Sequence, residues 1–429
     1  MSTFLVKKSQ LHGSVSVPSS KSHTLRAILF GALAKGKTTI KNFLDSSDAQ
    51  AMIQACRLLG AKVDVHADLI EMEGLNGVVD RVEDVINSGN SGLVLRLVGA
   101  IAALSPHYTI ITGDHSIRHQ RPVSPLLEGL QQLGVWVASS RGDGYAPIII
   151  KGPLRSGTAT ITGEDSQPVS ALLIASSLVE GPTEIIVKNV REQPWLALTL
   201  DWFDFLGIKY THQNFSHYHL EGGGRFEGFE YKVPGDWSSA AFPIVAALIT
   251  QSELTLENLN IHDPQGDKAI IEVLQQMGAQ IEIDEKGKRL HVKKTETLQG
   301  ITIDLNPLID AIVILAVVGC FAEGETRLTN AAIARKKECD RIHCVAQELS
   351  RMGALIEEKE DGLIIKRSHL RGARVFSHAD HRMAMSLTVA ALAAEGETSI
   401  EGVECIQKTF PNFLGFCQRL GAQIEEKSL

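Results

Sequence analysis

With 429 residues the chain is too long for one ordinary core, and two or three domains are expected. Hydrophobic residues make up 44% and charged residues 21%, a balance that excludes wholesale disorder. A formal net charge of −8 argues against nucleic acid as a partner, while leaving open a small anion held in a locally basic cleft.

The opening "MSTFLVKKSQLHGSV" lacks the apolar core of a signal peptide. The most apolar stretch, "AIVILAVVGCFA", covers residues 311–322 and is too short to cross a bilayer, so no membrane is expected. The six cysteines, Cys56, Cys320, Cys339, Cys344, Cys405 and Cys417, show neither a CxxC pair nor zinc-type spacing. They read as reduced thiols of a cytoplasmic protein, with no metal expected.

From the N-terminus, the first helix is an Ala-rich apolar run, "SSKSHTLRAILFGALA" at 19–34, followed by the strand "GKTTI". An amphipathic helix then ends in "ACRLLGAKVDV" (55–65), where Leu-Gly gives way to a β-branched run. A glycine just past the last apolar turn is the expected helix C-cap, because positive φ is tolerated there. The same sequence of elements recurs. Apolar helices follow at "GNSGLVLRLVGAIAAL" (89–104), "EDSQPVSALLIASSLV" (164–179), "GDWSSAAFPIVAALI" (235–249), "NPLIDAIVILAVVGCFA" (306–322) and "DHRMAMSLTVAALAA" (380–394). The capping glycines are Gly60, Gly134, Gly207, Gly278, Gly353 and Gly421, separated by 74, 73, 71, 75 and 68 residues. Six copies of one unit are therefore expected. Helices apolar nearly all round must be buried, with sheets and amphipathic helices outside them.

The buried helices open on polar residues that packing does not require. These are Lys21-Ser22, Asn90-Ser91-Gly92, Ser166-Gln167, Asp236 with Ser238-Ser239, Asp310, and His381-Arg382. A helix start offers backbone N–H groups and the positive end of the dipole. Several starts gathered at one edge would attract a multiply charged anion. Asp310 interrupts an otherwise apolar run, read as one helix, and a buried carboxylate there needs a cap role or a cation.

Ten strings in order carry a resemblance: "PSSKSHTLRA" (18–27), "GNSGLVLR" (89–96), "RP" (121–122), "DSQ" (165–167), "VPGDWSSAAF" (233–242), "QGD" (265–267), "IDA" (309–311), "KKECDRI" (336–342), "DHRMAM" (380–385) and "KTFPNF" (408–413). Over nearly its whole length the chain resembles the 3-phosphoshikimate 1-carboxyvinyltransferase (5-enolpyruvylshikimate-3-phosphate synthase) family. The resemblance implies an α/β, two-domain enolpyruvyl-transferase fold of six βαβαββ repeats, three per domain, with buried parallel helices. It implies a first domain over 18–230 and a second formed by 1–17 and 231–429. The implied reaction moves the enolpyruvyl group of phosphoenolpyruvate to the 5-hydroxyl of shikimate 3-phosphate and releases phosphate. No cofactor is implied, and a monomer is expected.

The resemblance also assigns residues. Asp310 matches the base at the 5-hydroxyl, Glu338 the acid near the phosphoenolpyruvate methylene, and Lys21 a catalytic group touching both substrates. Shikimate 3-phosphate is assigned Lys21, Ser22, Arg26, Asp165, Ser166, Gln167, Asp310 and Lys337. Phosphoenolpyruvate is assigned Lys21, Asn90, Gly92, Arg121, Gln167, Arg341, His381, Arg382 and Lys408. Arginine forks suit such carboxylates and phosphates.

The chain departs from the family pattern in places. Leu93 stands where a small hydroxyl is usual, Leu97 where proline is common, and Asp165 where serine often precedes Ser166. "EQPW" at 192–195 replaces Ser-x-Pro-Tyr, which puts substrate contacts of Glu192 and Trp195 in question. The alternative with the same fold is UDP-N-acetylglucosamine enolpyruvyl transferase, a family that usually carries a reactive cysteine or aspartate in the loop before "RP". Here that segment, "GDHSIRHQ", has no cysteine, and the Lys-Ser-x-Thr-x-Arg string fits shikimate phosphate better. A non-catalytic ligand-binding repeat protein is the alternative of a different class, and the presence of Lys21, Asp310, Glu338 and Lys408 weighs against it.

Overall fold

The computed structural model describes residues 2–428. The chain divides into two compact units, Ser19–Val233 and the pair Met1–Pro18 with Pro234–Leu429. Both are built from one α/β pattern.

In the Ser19–Val233 unit the inner helices are Lys21–Leu33, Gly92–Ala102 and Ser166–Ser177. All of Gly92–Ala102 is buried, as an all-round apolar helix requires. Three four-stranded sheets enclose these helices. One runs in the order Glu230–Lys232, Lys37–Lys41, Leu69–Glu73, Lys62–Val65. Its first pair is parallel and the others antiparallel. The sheets beginning with Ile86–Asn87 and Thr158–Thr162 repeat that order and those directions. Period-2 alternation sets the inward faces: in Lys37–Lys41 it is Thr38 and Ile40 that are buried.

The second unit repeats the scheme around Trp237–Ile249, Ile312–Phe321 and His381–Ala393. Two of its sheets borrow strands from the start of the chain. His12–Ser16 pairs in parallel with Glu253–Glu257, and Ser2–Lys7 lies between Glu397–Glu401 and Gln423–Ser428. The helices of each core bury nearly complete Leu, Ile and Val side chains, each worth roughly 1.5–3 kcal/mol of transfer free energy.

The six capping glycines sit where the spacing puts them. Gly60, Gly134, Gly207, Gly278, Gly353 and Gly421 all have positive φ, between 70° and 109°. Each stops an amphipathic helix and releases the chain into an outer strand.

Two expectations need correction. Asp310 is not part of an α-helix. It lies in a 3-10 segment, Asn306–Ala311, ahead of the true helix Ile312–Phe321. Pro307 opens that segment and Leu308 is non-helical at φ −135°, ψ 45°, so the turn kinks before the apolar run begins. The helix starts are also less open than free N-termini. Ser20, Ser91, Asp165, Asp236 and Asp380 cap five of the inner helices and accept from backbone N–H groups there. Among the described residues no helix is long and apolar enough to cross a membrane.

Candidate active site

In the Pro234–Leu429 unit, five of the sequence-assigned residues form one ion-pair network. Arg341, only 1% exposed in its side chain, is its hub. Its Nη1 donates to Asp310 Oδ1 at 2.7 Å, its Nη2 to Glu338 Oε2 at 2.8 Å and its Nε to Asp380 Oδ2 at 2.7 Å. Arg382 Nη2 donates to the other Asp310 oxygen at 2.9 Å, and Lys408 Nζ to Glu338 Oε1 at 2.6 Å. Local structure aims these groups. Asp340 caps the helix that begins with Arg341, and Asp380 caps the one carrying Arg382. Lys408 ends the 3-10 segment Val403–Lys408.

Burial alone would push the Asp310 carboxyl upward, but the cations of Arg382, Arg341 and Lys337 outweigh it and hold the group well below the ordinary aspartate range. Burial likewise opposes the charge on Arg341, and Asp380, Glu338 and Asp310 reverse this, raising it well above its usual value. Lys337 is buried, and His381 is buried with its Nδ1 3.9 Å from Asp380 Oδ1. His381 thus lies next to a carboxylate of the network.

Asp267 extends the network, 4.0 Å from Arg382 Nη2 and hydrogen-bonded by Ser238. Burial, partly offset by Arg382, raises its carboxyl to about 6. The folded protein therefore keeps this proton to about pH 6, whereas an unfolded aspartate loses it near 3.9. Stability should decline as pH climbs through that window, by about 3 kcal/mol in all. Asp267→Asn should remove the decline. Melting curves of both proteins from pH 4 to 7 test this: the two midpoints should diverge between pH 4 and 6, and parallel curves would contradict it.

In the Ser19–Val233 unit the assigned residues form smaller groups. Lys21 Nζ lies 3.8 Å from Asp48 Oδ2, which also accepts from Ser91 Oγ at 2.8 Å. Asn90 donates to Asp114. Arg26 is 3% exposed, and its guanidinium meets only neutral oxygens among the described residues: Thr199 Oγ1 at 3.0 and 3.2 Å and the Ser22 carbonyl at 3.3 Å. Burial lowers it to about 10, so it stays charged at neutral pH while lacking an anion. Such a cation suits a phosphate.

Arg96 is the hub of this half and was not singled out by sequence reasoning. It donates to the Gln167 side chain at 2.8 Å, the Gly92 carbonyl at 3.2 Å and the Pro122 carbonyl at 2.9 Å, and lies 3.1 Å from Asp165 Oδ2. Asp165 is thus an N-cap neutralised by a buried arginine. A Cβ added at Gly92 would stand 2.7 Å from Arg96 Nη1 and 2.9 Å from Arg121 Nη2, so the glycine lets both guanidinia approach the helix start. Leu93 and Leu97 are buried. Ser166 is bound by Glu192, whose Oε2 accepts from Ser166 N at 3.0 Å and Oγ at 2.8 Å.

Sequence reasoning also passed over Asp48, Thr199, Asp267 and Asp380. The available signal was a charged or hydroxyl residue in an otherwise buried segment, as with the lone arginine of "LVLRLVG".

Comparison with known proteins bears on the whole chain. The family model for EPSP synthase (3-phosphoshikimate 1-carboxyvinyltransferase) matches residues 5–416. A 3-phosphoshikimate 1-carboxyvinyltransferase of Acetivibrio thermocellus is 45% identical over 419 residues, covering 98% of each chain. One from Chlamydia caviae is 43% identical, covering 99% of this chain and 95% of the relative. The solved EPSP synthase of Acinetobacter baumannii superposes with a TM-score of 0.83 at 30% identity, covering both chains completely. The repeated α/β pattern is therefore the two-domain enolpyruvyl-transferase fold. With the ordered motifs, the buried charge network and the whole-length match in agreement, the chain belongs to the EPSP synthase family.

Proposed function

We propose that Asp310 and Glu338 carry the proton transfers, with Lys21, of the family's reaction on this chain. The protein is an enolpyruvyl transferase: it moves the carboxyvinyl group of phosphoenolpyruvate to the 5-hydroxyl of shikimate 3-phosphate, releases phosphate, and so serves aromatic amino-acid biosynthesis. The observation that carries the residue assignment is Asp310 held between Arg341 and Arg382, beside Glu338 held by Lys408.

As the substrate hydroxyl adds to the phosphoenolpyruvate double bond, Asp310 takes its proton and Glu338 protonates the methylene carbon. In the elimination Glu338 takes a proton back from that carbon as phosphate leaves. Both steps need positioned acids and bases amid fixed positive charge. Asp310 as it stands is a weak base because its two arginines depress it. Those arginines are the ones assigned to phosphoenolpyruvate. An anionic substrate drawing on them would loosen their hold on Asp310 and raise its basicity when both substrates are present.

In this reading Arg121, Asn90, Gly92, Arg341, Arg382, His381 and Lys408 serve phosphoenolpyruvate, with Lys21 and Gln167 touching both substrates. Ser22, Arg26, Asp165, Ser166, Gln167 and Lys337 serve shikimate 3-phosphate. Arg26, a buried cation among neutral oxygens, supports the phosphate assignment most strongly. The protein is taken as a cytoplasmic monomer. Its cysteines are all free and five are buried, which supports a reducing compartment.

Phosphate release tests the reading. Wild type should release phosphate from phosphoenolpyruvate when shikimate 3-phosphate is present and not when UDP-N-acetylglucosamine replaces it. Release with the nucleotide sugar alone would favour the other transferase, and no release with either would leave a binding protein.

A further inference from the structure

The helix Ser166–Ser177 begins with a residue whose backbone N–H and hydroxyl are both taken by one carboxylate oxygen, Glu192 Oε2. Glu192 is 2% exposed and stands in left-handed backbone at φ 51°, ψ 37°, a sparsely populated region for a residue with a side chain. Two residues on, Pro194 lies in the first turn of the helix Gln193–Leu206, where its ring fixes the backbone. The turn thus aims a buried carboxylate at the helix start.

The donors it occupies lie at the positive end of a buried helix, where anions bind well. They are also the donors of Ser166 that the proposed function gives to the phosphate of shikimate 3-phosphate. One pair of donors cannot fully serve two anions, and a carboxylate left beside a phosphate repels it. We infer that Glu192 is an internal anion that fills the phosphate's place on Ser166 in the unliganded protein, so that displacing it sets the affinity for the phosphorylated substrate. The inference rests on the proposed function for the identity of that substrate. It makes Glu192 a specificity-determining residue for the phosphate group, a task for which the family's usual serine would carry no charge.

The consequence is a weakening confined to the phosphate side. In Glu192→Gln the competing charge disappears while the side chain keeps its length and an oxygen able to accept from Ser166. Losing a charged acceptor from two hydrogen bonds corresponds to about a ten- to hundredfold gain in phosphate affinity. Arg26 contributes the same attraction before and after, because Thr199 and Ser22 hold it rather than Glu192.

The test combines steady-state kinetics with titration calorimetry using inorganic phosphate as the probe. For Glu192→Gln and Glu192→Ser, KM for shikimate 3-phosphate should fall about ten- to hundredfold, with KM for phosphoenolpyruvate moving less than threefold. Inorganic phosphate should bind the variants more tightly by a similar factor, and a melting curve checks that each variant is folded. A residue that merely props the helix start would leave these affinities unchanged or weaken them, and either result in a folded variant would overturn the inference. Calorimetry needs no turnover. If wild type released no phosphate from phosphoenolpyruvate, the functional reading would fail while the phosphate titration still decided the role of Glu192.

Discussion

Asp310→Asn should lower turnover by about 10²- to 10⁴-fold, the usual worth of a positioned general base. The amide keeps the shape of the side chain and can still accept from one arginine, but it cannot take the hydroxyl proton. Arg341 retains Glu338 and Asp380 as partners, so the hub remains charge-balanced and the fold should survive. The loss should therefore appear in kcat, with KM for shikimate 3-phosphate moving far less. Single-turnover and steady-state kinetics check this. A kcat within threefold of wild type would remove Asp310 from the chemistry.

Arg341→Met should have the largest effect on stability. One guanidinium holds Asp310, Glu338 and Asp380 in a place where it is itself almost fully buried. Removing it leaves clustered carboxylates short of a cation, and breaking a buried pair in this way costs about 3–5 kcal/mol. Arg341→Lys should recover little, since one ammonium cannot present a three-way planar fork. Denaturant unfolding monitored on both variants would show the midpoint drop. A loss below about 1 kcal/mol would mean that water or rearrangement replaces the hub, contrary to the account.

Much of the architecture was legible because it is local. A Leu-Gly or Met-Gly after an amphipathic run marks a helix end, and Gly60, Gly134, Gly207, Gly278, Gly353 and Gly421 all have the positive φ that this requires. An Ala-rich apolar run marks a buried helix, and Gly92–Ala102 is one. The polar residues at the starts of these runs were visible for the same reason.

The pairings were not legible, because they join one repeat to the next. Arg96 and Gln167 are 71 residues apart, Asp310 and Arg382 are 72, and Glu338 and Lys408 are 70. Those separations match the repeat period, so equivalent corners of neighbouring repeats lie side by side and exchange charge. No window of a dozen residues contains that information. Asp48, Asp267 and Asp380 drew no notice for the same reason, since their importance comes from cations far along the chain. Asp310 was misplaced by a local ambiguity: a continuous apolar run does not reveal that Leu308 leaves helical geometry.

Proton transfer at the methylene carbon tests the central claim most directly, because it follows the atom Glu338 is assigned to protonate. With both substrates in deuterium oxide, wild-type product should carry deuterium in its methylene group, detected by proton NMR or mass spectrometry. Glu338→Gln should lose that incorporation along with most of its turnover, while still binding shikimate 3-phosphate. Incorporation at the wild-type rate in Glu338→Gln would contradict the account, since the proton would then come from a group other than Glu338.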